Sequence, residues 1–345
     1  MNATRSILLI VVLGVSGSAL AHHSFVASYD PSRATEMTGV VAEYVLRSPH
    51  SHVLMDVGNE AGGVQRYEVE MASLPMMRRR GFDSDSFKPG DEITVVAWPH
   101  RTSERPLVWG MGIVREDEAA IVSGEHVALA NARSQHQAAI GVARLGGRWL
   151  APFPEVGRES PLPLSPAGIA ARENYDPMES PANTCEPNNV PAVFHSPYLF
   201  EIRVTAQEAI IHHEAYNITR TVPLSTEPRQ VEPTGIFGMV AGRIDGETLV
   251  IESSGFPPSG WGLGVAGTTN GAGADVPSSA QKKLLARYSV SSDGNKLTVA
   301  YTLEDPVYLT QPYSNSVELT RVADDSPMYE YACESENASR FSRER

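Results

Sequence analysis

Eight short runs in the second half of the chain alternate apolar and polar residues, and a turn signal follows each. They are "YLFEIRVT", "EAIIHHEAY", "NITRTVPL", "FGMVAGRID", "ETLVIESSG", "KKLLARYSV", "KLTVAYTLE" and "NSVELTRV". A period of two marks strands with one buried and one wet face. The Asp-Gly pairs in "IDGE" and "SDGN" are those expected of two-residue hairpins. Antiparallel strands in such number must hide their edges, so residues 181–345 are expected to form a lipocalin-like antiparallel barrel or a β-sandwich. "GGRWL" at 146–150 has the Gly-x-Trp look of a lipocalin-type first strand. "GWGLGVAGTTNGAGADVPSS" is a long Gly-rich excursion between strands, either a lid or a tolerated insertion.

The first half reads as a smaller all-β unit. "ATEMTGVVAEYVL", "HVLMDV" and "QRYEVEM" are strands, and "SLPMMRRRGF" is one or two helical turns with Pro75 in the first turn and Gly81 at the stop. "KPGDEITVVAW" and "PLVWGMGIVRE" supply two more strands. Three strands, a short helix and two strands is the order of an OB-like small barrel, expected over 22–115, with an SH3-like barrel as the alternative. Residues 116–180 are Ala-rich and then punctuated by "APFPEV", "SPLPLSP" and "DPMESP", which reads as a linker or an extended arm. The expected fold class is all-β throughout.

Arg5 followed by "SILLIVVLGV" and an Ala19-x-Ala21 site has the layout of a secretory signal over 1–21, which predicts cleavage near Ala21 and a periplasmic or secreted protein. The apolar core is too short to span a bilayer, and no later run approaches ~20 apolar residues. In an oxidising compartment the two cysteines, Cys185 and Cys333, are most simply one disulfide. A formal charge of −13 argues against nucleic acid or an anionic membrane surface as partner.

The start "HHSFVASYD", then "TGVVAEYVLRSPHSHVLMDV" and "MMRRRGFDSDSFKPGDEITVVAWP", resembles a bacterial family of small exported proteins of unknown function. Members open on His-His-Ser-Phe, carry Asn-Pro-His between the first two strands, and have a Leu-x-Arg-x-Gly helix before Lys-Pro-Gly-Asp. Here Ser48-Pro49-His50 stands for Asn-Pro-His, and the likeness covers about 22–115. The second half is similar to the larger domain often fused to it, through "CEPNNVP", "SPYLFEI", "GRIDGETLVIESSGF" and the closing "YEYAC". It departs at "GRIDGE", Ser278-Ser279, Lys282-Lys283 and Ala286-Arg287-Tyr288, where members carry Trp-Glu, His or Glu. The resemblance implies architecture and export, and no reaction.

Cleavage before His22 would leave a terminal histidine whose α-amine and imidazole chelate one metal. With another imidazole folded back, the nitrogen set suits copper(II). His23 is a neighbouring donor, and His50 and His52 in "PHSH" would face one side of an extended segment. The alternative is that "HHSF" is only the scar of secretion. In the second half, His195, His212, His213, Tyr216, Arg220, Trp261 and Arg287 are candidates to line a pocket, with at most one of the adjacent His212 and His213 entering a barrel. Nucleophile elbows, phosphate loops and His-Glu-x-x-His helices are absent from the sequence. Three functions follow as expectations. One is a binding protein that holds a metal ion, copper foremost, through His22. Another is a carrier of a small apolar ligand in the second barrel. The last, less favoured, is a periplasmic enzyme.

Overall fold

The computed structural model describes residues 29–59, 62–101, 105–115, 118–121, 139–152, 161–175, 184–187, 189–225, 229–230, 236–260, 262–263, 275–338 and 340. The expected terminal site at His22 and His23, and Trp261, lie outside the described residues. The chain is all-β, as its alternation predicts, and forms two sheets. No helix among the described residues is long and apolar enough to cross a membrane.

The first sheet contains β1 (Thr35–Val45), β2 (Ser51–Gly58), β3 (Val64–Met71), β4 (Glu92–Pro99), β5 (Leu107–Arg115) and β6 (Glu118–Ile121), in the order β3-β2-β1-β4-β5-β6. A parallel pairing of β3 with β5 closes the first five into a barrel of OB type. β1 serves two neighbours: residues 35–40 pair with β4, and 40–45 with β2. The hand-over needs a glycine, because a Cβ at Gly39 would sit 2.6 Å from the Asp56 carbonyl oxygen. The helix Leu74–Arg79 starts after Ser73 with Pro75 in its first turn, sends Met76 and Met77 into the core, and gives way to Gly81 at φ +86°.

The second sheet has ten strands. β7 (Gly147–Leu150) pairs with both β8 (Leu199–Val204) and β16 (Tyr313–Val322). From β8 the sheet runs outward through β9 (Glu208–His213) and β10 (Ile218–Pro223). From β16 it runs back through β15 (Lys296–Glu304), β14 (Lys283–Val290), β13 (Thr248–Ser254) and β12 (Met239–Asp245) to the two-residue β11 (Arg229–Gln230). The sheet curls until the end of β10 meets β12, where Leu224 bridges Gly242. A Cβ on Gly242 would stand 2.8 Å from a Val222 methyl, so glycine sets the close approach at this seam. One continuous sheet whose two ends meet is a barrel and not a sandwich, and one apolar cluster from Leu145 to Leu319 makes up its core.

Part of the stretch read as linker belongs to this barrel. "GRWL" is β7, in keeping with its lipocalin-type look, so strand pairing begins before residue 181. Between the prolines, Pro166–Glu173 is a helix. Pro166 sits in its first turn, where no N–H is needed, and the Ser165 hydroxyl caps Gly168 N at 3.1 Å.

The two barrels share a buried seam. Arg79 donates to Glu214, both almost wholly buried. The Glu214 carboxylate also accepts from Tyr329 N at 2.7 Å and Leu199 N at 3.2 Å. Tyr198, Ala215 and Tyr331 join the apolar core of the first barrel. Cys185 and Cys333 are disulfide-bonded, and Ser48 pairs with Cys333 across the boundary.

Candidate functional site

Alternation decides which side chains enter the second barrel. In β9 the buried positions are Ala209, Ile211 and His213. In β10 they are Ile218, Arg220 and Val222. His213 is therefore inside, whereas His212 lies outside with its Nδ1 2.8 Å from the Thr219 hydroxyl. Ser253 shares its phase with Leu249 and Ile251 on β13, and Tyr288 shares its phase with Leu284 and Ala286 on β14. Arg220, His213, Ser253 and Tyr288 are all buried in this interior.

The Arg220 Nη2 donates to the Ser253 hydroxyl at 2.7 Å, and its guanidinium carbon lies 5.0 Å from the centre of the Phe237 ring. His213 meets Phe200 edge-on at 4.4 Å and stacks on Phe237 at 6.3 Å. Three buried polar atoms in this set have no hydrogen-bond partner among the described residues: Arg220 Nε, His213 Nδ1 and the Tyr288 hydroxyl. Burial, helped by the Arg220 charge, pushes the His213 imidazole down to about 3, so it is neutral at ordinary pH. Burial raises the Tyr288 phenol to about 12 against the opposing pull of Arg220, so it keeps its proton.

The remaining expected residues fall elsewhere. His195 is buried on a short 3-10 turn with Nε2 3.0 Å from the Tyr301 hydroxyl, and burial lowers it to about 4. Tyr216 leaves the barrel: it follows the end of β9 at φ 56° and packs against Tyr331 at 4.7 Å between the domains. Arg287 is on the outer face, paired with Asp245 at 2.8 Å. Of the expected pocket residues, His213 and Arg220 come together and His195 stands in the same core. Ser253, Phe237 and Tyr288 were not anticipated, although the apolar phase of their strands places Ser253 and Tyr288 inside.

In the first barrel, His50 Nδ1 is 2.8 Å from Glu70 Oε1, and the other Glu70 oxygen accepts from the Tyr29 hydroxyl. His100 meets the Tyr29 ring edge-on at 5.2 Å. His52 is buried on β2, lowered to about 4 by burial and by the nearby charges of Arg340 and Arg47. Among the described residues, no three His, Cys, Asp or Glu side chains are grouped to hold a metal.

Residues 10–107 match the model of a family of unknown function, DUF6152. No curated protein matches the chain. Among solved structures, a mutant of the fluorescent protein UnaG aligns at 12% identity and a TM-score of 0.26, over 53% of this chain and 98% of that one. A likeness so slight carries nothing about a ligand.

Proposed function

We propose that the protein is an exported carrier of a small, largely apolar molecule, held inside the second barrel beside Arg220. One observation carries this reading: three polar atoms inside the second barrel are buried with no hydrogen-bond partner among the described residues. Buried polar groups are nearly always satisfied, and each one left unmade costs about 1–3 kcal/mol. A cluster of them is the kind of place where a ligand supplies what the chain lacks. The disulfide and the apolar leader at 7–16 favour an oxidising compartment outside the cytoplasm. The test is a titration of the lipid-stripped, isotope-labelled full chain with laurate and with dodecanol. Saturable shifts at amides of β9, β10 and β13 support the reading. Shifts confined to the outer surface, or none, overturn it.

A second reading is favoured by His50. A histidine whose ring nitrogen is held by a carboxylate is oriented as metal-ligating histidines usually are, and Glu70 also takes Tyr29, six positions after His23. On this reading copper(II) is bound by the His22 amine and imidazole with His50. Copper titration of the cleaved protein, beside a form with one extra residue before His22, tests it. Tight one-to-one binding lost in the extended form supports the terminal site, and equal weak binding in both refutes it.

A further inference from the structure

Four buried cations in this molecule can be compared. Arg79 has the Glu214 carboxylate. Arg321 lies 3.9 Å over Trp149 and donates to the carbonyls of Gly294 at 2.6 Å, Gly146 at 2.8 Å and Arg144 at 2.5 Å. Lys282 donates to Asn189 at 3.1 Å, sits 4.5 Å over Phe256, and feels the charges of Asp275 and Asp305. These three are tied into the fold. Arg220 has one serine hydroxyl and one aromatic face, and its Nε, like that of Arg79, finds no hydrogen-bond partner among the described residues. Among the described residues no carboxylate approaches it.

Arginine does not surrender its proton inside a protein. An unpaired guanidinium in a dry interior is therefore a standing demand for an anion. We propose that the molecule held in the second barrel is an amphiphilic monocarboxylate whose head group sits on Arg220, with Ser253, His213 and Tyr288 completing its hydrogen bonds. The proposal rests on the carrier reading and names the chemistry of what is carried.

Charge balance favours a monoanion. Arg220 is the one formal positive charge of the set, so a dianion would leave a net negative charge buried. Geometry favours a carboxylate, whose two oxygens match the guanidinium fork. This chain already uses that match on its surface, where Arg66 Nε and Nη2 meet the two Asp56 oxygens at 2.7 and 2.8 Å. The Tyr288 hydroxyl retains a proton to give. The Ser253 hydroxyl, which accepts from Arg220, has its own proton for the anion. Phe200, Phe237, Ile211 and Ile251 belong to the same interior cluster and offer the apolar part of the ligand its surroundings.

Laurate and dodecanol differ in the head group and share the chain, so they separate the two claims. With the lipid-stripped full chain, calorimetric or NMR titration is expected to show laurate binding at least tenfold tighter than dodecanol. Arg220→Met should bring laurate down to the level of dodecanol. Tyr288→Phe should weaken laurate alone, by a few-fold, and serves as the second variant if Arg220→Met does not fold. Equal affinity for the two probes, or laurate affinity unaffected by both variants, overturns the monocarboxylate while leaving the carrier reading standing. Failure of both probes to move amides of β9, β10 and β13 overturns the two together.

Discussion

Replacing Arg220 by methionine should make the ligand-free protein more stable, which is an unusual expectation for a fully buried residue. The terms can be set side by side. The substitution removes a charged hydrogen bond to Ser253, about 1.5–3 kcal/mol, and a cation–π contact with Phe237, up to about 2 kcal/mol when desolvated. It also removes an uncompensated ion from the interior, a penalty of several kcal/mol that no carboxylate among the described residues repays. Swaps of buried ion networks for apolar residues of like volume are commonly neutral or stabilising by about 1–4 kcal/mol. A gain of about 1 kcal/mol is expected for Arg220→Met. The gain should be larger with Ser253→Ala, which spares the serine an orphaned hydroxyl. Urea unfolding of lipid-stripped protein reads it, and each kcal/mol corresponds to about 2–4 °C in Tm for a domain of this size. Laurate should reverse the ranking, since a ligand at a hundred times its Kd adds about 2.7 kcal/mol to a form that binds it. A loss above about 2 kcal/mol in ligand-free Arg220→Met would refute the reasoning and make the guanidinium a structural tie like Arg321.

Other outcomes follow from the same structure. Glu214→Gln strands the buried Arg79 charge between the barrels, and urea titration should show a loss of about 3–5 kcal/mol. Mutating Cys185 and Cys333 together to serine opens a loop of 148 residues; the chain-entropy model gives about 5 kcal/mol, read as a fall in the urea midpoint. His213, at about 3, and His52 and His195, both at about 4, lie below the ordinary 6.5, so the unfolded chain binds protons first as pH falls. Their contribution is complete above pH 6.5 and is lost down to those values, about 2 kcal/mol for each histidine by pH 5. Stability that stays level between pH 7 and 5 would contradict it.

What could be read from the chain was what lies within a strand or a turn. Gly81 and Pro75 bracket the helix Leu74–Arg79, and the Asp-Gly pairs set hairpins whose glycines, Gly246 and Gly294, have φ of 63° and 77°. Arg220 was legible too: it shares a phase with Ile218 and Val222, so a charged residue occupies the apolar face of β10. Arg287 was misplaced by a single position, since one step along a strand exchanges inside for outside and gives the interior place to Tyr288. Tyr216 was lost because β9 ends at His213 and two residues with positive φ, Tyr216 and Asn217, turn the chain away. Nothing local announces that turn. The seam of Arg79 with Glu214 was beyond reach for a different reason: the partners stand 135 positions apart, and each alone reads as a surface charge.

Glu334, Asn337 and Arg340, which follow the last strand of the second barrel, complete the first barrel. Asn337 donates to the carbonyls of Ser48 at 3.2 Å and His50 at 2.8 Å, Arg340 reaches Glu68, and Arg47 pairs with Glu334. Ribosomes deliver a chain from its amino end, so the first domain is made long before these contacts exist. A nascent or truncated chain therefore has a first barrel with Glu68 short of its Arg340 partner, the Ser48 and His50 carbonyls uncovered, and Cys185 without its disulfide partner. The first barrel, contiguous in sequence, is therefore finished only by a segment that follows the whole of the second.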